Sequence, residues 1–186
     1  MPYGHNKGSV IGIDLGIVGV ADEDVIGIAV TAANIADMGA TEGLQLGLLA
    51  NRTKELYGLQ LASVLNWNED VAYGLQMALV NYDGEFYGLQ LGGINWFVGN
   101  AYGASLGAFM LSNSSFTGFS AGCLNYAMKK MAGLQLGGIN LAAESSAGLQ
   151  LGLVNVADRL YGCQIGLANF VMDRDWTFLP FISIGW

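Results

Sequence analysis

Gly88-Leu89-Gln90-Leu91-Gly92-Gly93-Ile94-Asn95 recurs unchanged in type as Gly133–Asn140, and with Leu153-Val154 for the Gly-Ile pair as Gly148–Asn155. Looser copies open at Gly12, Gly27, Gly43, Gly58, Gly74, Gly103, Gly118 and Gly162, so eleven unit glycines follow one another 14 to 16 residues apart. A short fixed period sustained along a chain is the mark of stacked structural units, each burying its face against the next.

Each unit has three parts. After the glycine, an apolar residue, usually Gln, and another apolar residue alternate, as in Leu59-Gln60-Leu61; that is the period of a strand with one buried face. A small residue (Gly, Ala or Thr) comes next and suits a corner. The second part carries an apolar residue and then Asn, seen at Asn34, Asn81, Asn95, Asn125, Asn140, Asn155 and Asn169, with Asn51 and Asn66 displaced by one. Its apolar parity differs from that of the first part, which a straight strand cannot accommodate without turning over. The third part varies and holds nearly all the charge, for example Asp22-Glu23-Asp24, Arg52 to Glu55 and Lys129-Lys130. An apolar residue returns two places before the next glycine, at Leu56, Phe86, Phe116, Met131 and Leu160.

Three sides of about five residues make one coil, so the expected fold is all-β: a single narrow, triangular parallel β-solenoid of about 12 coils, each stacked ~4.8 Å above the last. Parallel stacking sets each residue over its own copy, which rewards identity at a fixed offset through amide ladders and apolar columns. Residues 1–186 then form one repeat domain, with 1–11 an N-terminal cap or frayed coil, 12–169 the repeats and 170–186 a C-terminal cap around Pro180. The rival architecture is a 12-stranded membrane β-barrel, whose spanning strands need about 9–11 residues of unbroken alternation.

Composition narrows the function. With 28 glycines, two prolines and 53% hydrophobic residues, the chain has the apolar content to fold. A net charge of -8 and a pI near 4.3 leave no basic stripe for nucleic acid. His5 is the only histidine, and Cys123 and Cys163 sit almost three coils apart, too far for a disulfide. They read as small core residues. Asp22-Glu23-Asp24 with Asp37 lacks the ordered loop of a calcium site. No catalytic, cofactor or metal set converges, so a non-enzymatic structural or interaction module without cofactor is expected. Met1–Lys7 lacks the charged-then-apolar layout of a signal peptide.

With Leu taken as the inward set, the first side presents Gln45, Gln60, Gln76, Gln90, Gln135, Gln150 and Gln164, and the second an Asn column. Tyr57, Tyr73 and Tyr87, each just before a unit glycine, add ring platforms. Such flat faces suit a protein partner, a second copy, a glycan or ice. Ice binding expects rows of Thr, and Thr31, Thr41, Thr53, Thr117 and Thr177 share no offset.

Residues 43–51, 88–95, 133–140 and 148–155 resemble bacterial surface-repeat proteins built from tandem Gly-x-Gln-x-Gly-x-x-Asn units. The resemblance implies a bacterial source and a cell-surface or secreted location. It supplies no catalytic residues. Met110 in place of Asn, and Ser105 and Ser120 in place of Gln, depart from its pattern.

Overall fold

The computed structural model describes residues 3–6, 8–36 and 39–186. The chain is an all-β solenoid of parallel stacked coils with about nine turns. That is fewer than the roughly 12 coils expected from the sequence. Contacts group it into two units, Met1–Gly93 and Ile94–Trp186.

In the first unit β1 (Tyr3–Asn6) pairs with β3 (Val18–Ala21), and β2 (Val10–Leu15) and β3 both pair with β4 (Val25–Ala36). β4 pairs with β5 (Ala40–Ala62), and β5 with β6 (Leu65–Phe97), whose last residues belong to the second unit. Every one of these ladders is parallel, and the unit glycines stack on one another, as in Gly12↔Gly27↔Gly43 and Gly58↔Gly74. In the second unit β7 (Ala101–Ser112), β8 (Phe116–Ala127) and β9 (Lys130–Val171) stack in the same way. A membrane barrel needs antiparallel neighbours, so the barrel reading falls.

Between β7 and β8 two sides of the coil are laddered. Ala101–Leu106 pairs with Phe116–Ala121 and Phe109–Ser112 with Leu124–Ala127, while 107–108 form the corner and 113–115 the turn. There the expected third side is reduced to the polar turn Asn113-Ser114-Ser115, while in β5, β6 and β9 the strand runs on through that edge.

The last segment closes the stack. β10 (Phe178–Gly185) runs antiparallel along Gly162–Phe170, and the register slips between Leu179 and Phe181. The slip falls at Pro180, which has no N–H to donate.

The main correction is which residues face in. The Gln residues are buried, from Gln60 and Gln76 to Gln150 and Gln164, and so is the Asn column. Leu, Ile and Met flanking the Gln face out: Leu59 is 37% exposed, Met77 45% and Ile165 43%. Polar burial is tolerable because stacked amides satisfy one another. Gln150 donates to Gln135 at 2.7 Å and receives from Gln164 at 2.8 Å. The apolar part of the interior comes from the position two before each glycine, where Leu56, Phe86, Phe116 and Met131 are fully buried. Volume compensation operates there as well, pairing Phe97 with Ala101 and Ala127 with Met131 inside one coil. Ala104, Phe109, Phe119 and Ala121, by contrast, lie on the outer surface, and Phe109 is 44% exposed.

A paired substitution tests this inversion. Gln150→Leu strands the Gln135 oxygen and the Gln164 amide and should cost roughly 2–6 kcal/mol, at about 1–3 for each unsatisfied buried group. Ile165→Ser, beside Gln164 and 43% exposed on the outer surface, should stay within about 1 kcal/mol. Urea unfolding of the two variants measures the difference, and the opposite ranking would restore Leu to the inside.

Candidate interaction surface

The interior amides are committed to the fold. In the first unit Asn34 donates to Asn51 at 2.8 Å, Asn51 to Asn66 at 3.0 Å and Asn66 to Asn81 at 2.9 Å. The second hydrogen of each amide goes to a strand carbonyl across the corner, on Leu46, Leu61 and Met77 respectively. Asn125, Asn140 and Asn155 repeat this in the second unit, to Leu136, Leu151 and Ile165. Asn at this offset therefore ties the second side of one coil to the first side of the next. Gln45, Gln60, Gln76, Gln90, Gln135, Gln150 and Gln164 all lie inside, and the expectation that they form an interaction face is corrected by that burial.

One interior member carries charge. Asp83 is fully buried and accepts hydrogen bonds from Asn68 and Gln76, both at 2.7 Å, and from Gln90. Burial pushes its carboxyl up to about 7, against the lowering effect of those three bonds. The charge at this position was not singled out from the sequence, where it read as part of the variable edge.

Tyr57, Tyr73 and Tyr87 do lie outside, in a column with ring centroids 5.4 and 4.6 Å apart and planes within 12° of parallel. Their faces cover one another, so the column shows ring edges rather than platforms. The Tyr57 hydroxyl donates to Glu55 at 3.0 Å and that of Tyr87 to Glu85 at 3.4 Å, so the polar tips point toward the charged edge. The bond to Glu55 raises the Tyr57 phenol above its usual range, with smaller contributions from desolvation and nearby charge. On the other side Trp67 stacks on Tyr82 at 4.1 Å.

Between these aromatic columns the outer surface is apolar on both sides and around the corner. In the coil of Gly58 the outward order is Glu55, Tyr57, Leu59, Leu61, Ser63, Val64, Leu65, Trp67, Glu69, with Ser63 the one polar residue between the aromatic rings. Charge gives way to an aromatic ring, then to aliphatic residues, and the order reverses on the far side. A depression of about 390 Å³ beside Trp67 is lined by Ala33, Ile35, Ala50 and Leu65, with the Arg52–Glu69 ion pair at 2.5 Å on its rim. With Leu taken as the inward set, this outward order is not visible in the sequence.

Other candidates lead nowhere chemical. Cys123 is exposed and Cys163 half-buried, both as free thiols, so the core reading of these two is corrected. Among the described residues no group of three or more His, Cys, Asp and Glu is placed to hold a metal. Asp37, part of the acidic cluster read from the sequence, lies outside the described residues, as does the side chain of His5. Thr31, Thr41 and Thr53 are buried and make no outer row.

Compared with known proteins, the chain matches no family model, no curated protein and no solved structure.

Proposed function

We propose that this protein is a non-enzymatic repeat scaffold that works through the apolar outer sides of its coils, at a bacterial surface or after secretion. One observation carries the reading: the Gln and Asn amides of the repeat are turned inward, while Leu48, Leu79, Leu153 and Leu167, all well exposed, line the outside. Contiguous apolar surface of this kind marks a site of association. The stacked tyrosines, with ring faces mutually covered, favour this reading over a glycan platform.

The test uses Leu153→Ser/Leu167→Ser, confined to the second unit. In detergent-free buffer the parent protein should bind a fluorescent apolar dye and form oligomers by light scattering. The double variant should show less of both and keep the parent's circular dichroism and melting temperature within a few degrees. A parent that stays monodisperse and dye-negative in plain buffer would sink the proposal.

A further inference from the structure

From the first unit alone we infer that the occupant of the apolar surface is the hydrocarbon of a lipid bilayer, into which the corner of the coils inserts like a keel to the depth of one leaflet. This deepens the functional reading above and rests on it.

Three observations select lipid over a second copy or another protein. The first is shape. The apolar surface covers two sides and the corner between them, with Leu59 and Met77 on one side, Leu48, Leu49 and Leu79 at the corner, and Leu65 on the other side. A flat partner could cover one side only, whereas a fluid covers all of it.

The second is the order of chemistry away from the corner. Both sides pass from aliphatic residues to an aromatic column and then to charge. Tyr57 and Tyr73 mark the boundary on one side, Trp67 and Tyr82 on the other, and the tyrosine hydroxyls that donate to Glu55 and Glu85 point away from the corner. Rings with an apolar body and a polar tip settle where hydrocarbon meets headgroup. From Tyr73 to Leu79 at the corner is six residues and from Leu79 on to Tyr82 three, about 20 and 10 Å at ~3.3 Å each. Their mean, about 15 Å, is half of the ~30 Å hydrocarbon core.

The third is backbone satisfaction, which hydrocarbon demands of anything it touches. The ladders pair the sides, and the corner is paired as well: Val64 N–H donates to Leu49 O at 3.0 Å, Val80 N–H to Val64 O at 2.8 Å and Leu79 N–H to Ser63 O at 3.4 Å. Together with the interior amide bonds, this lets the corner enter an apolar phase without stranding backbone groups.

Charge then sets the lipid preference. The far edge of this unit is mainly acidic, with Asp22, Glu23, Asp24, Glu55, Glu69, Asp70 and Glu85 against Arg52 and Lys54. Insertion is apolar in origin and gains nothing from anionic headgroups, so zwitterionic vesicles suffice and salt has little effect.

The experiment is flotation of the full chain with phosphatidylcholine vesicles, paired with tryptophan quenching by phosphatidylcholine brominated along the acyl chain. The parent should float with the vesicles at low and high salt and be quenched. Leu48→Asp/Leu79→Asp, at positions 68% and 59% exposed where folding is not at stake, should lower partition at least tenfold. Asp70→Asn on the charged edge should leave it within twofold, and both variants should keep the parent's circular dichroism. No partition of the folded parent would overturn the inference, as would partition that ignores the Asp pair or vanishes in high salt. If the parent instead forms a defined soluble dimer that the Asp pair abolishes, the lipid assignment is wrong while the apolar-surface reading stands.

Discussion

Gly74→Ala should unfold the coils around it, at a cost above about 4 kcal/mol, the range reserved for changes the structure cannot absorb. Gly74 has φ of +138°, a conformation in which side-chain-bearing residues are strained by about 1–3 kcal/mol. Strain is the smaller part. A methyl group at Gly74 would sit on the carbonyl oxygen of Gly58 in the coil beneath, far inside the ~3.5 Å at which non-bonded atoms rest. Both atoms belong to ladder backbone, so relief means separating the coils. Gly12 isolates the two contributions: its φ is +116° but nothing lies within 4 Å of the added carbon. Gly12→Ala should therefore show the strain alone. Urea unfolding, with hydrogen exchange read over β5 and β6, measures both; a Gly74→Ala protein within about 1 kcal/mol of the parent, the ordinary cost of a point change, would contradict the stacking of the glycine column.

The glycine period made the solenoid legible because parallel stacking is the arrangement that rewards identity at one offset, and the ladders do set Gly58 on Gly74, Gln60 on Gln76 and Asn51 on Asn66. The facing of the first side was decided wrongly, although the signal lay in Glu55-Leu56-Tyr57-Gly58-Leu59-Gln60-Leu61. Glu55, Tyr57, Leu59 and Leu61 share one parity, and Leu56 shares the other with Gln60. A strand cannot turn Glu55 to water and Leu59 to the core. Phe86 with Gln90 and Phe116 with Ser120 repeat the hint. Preference for burying Leu misled here because the cost of burying an amide depends on whether it finds a partner, and a repeat supplies that partner automatically. The aromatic-to-charge order on the outer surface was invisible for the same reason, since it appears only once the Leu parity is turned outward. Asp83 was hidden differently: it lies at the end of the second side, where the neighbouring coil carries Asn68 and the variable edge begins.

Asp83 gives the second large effect, a loss of stability with rising pH that Asp83→Asn removes. The carboxyl titrates near 7 when folded, against 3.8 in its unperturbed state. The folded chain thus holds a proton that the unfolded chain has released, and stability falls wherever the unfolded state binds fewer protons. The contribution is fully present below about pH 4 and is lost as pH rises through about 7, with a slope approaching ~1.4 kcal/mol per pH unit between. Exposed carboxylates act on parent and variant alike, so the difference between the two proteins isolates Asp83. At pH 8 the variant should be the more stable by a few kcal/mol, since the substituted amide carries no charge into an interior of amides and can offer an N–H to the Gln90 oxygen, which lacks a partner. Near pH 4 the advantage should disappear. Urea midpoints of both proteins across pH 4 to 8 give the curve, and the slope is the diagnostic quantity even if the new side chain packs imperfectly. A difference that stays flat across the range would mean that Asp83 is ionised in the folded state at every pH sampled, and that the three amides around it stabilise the charge as well as water does.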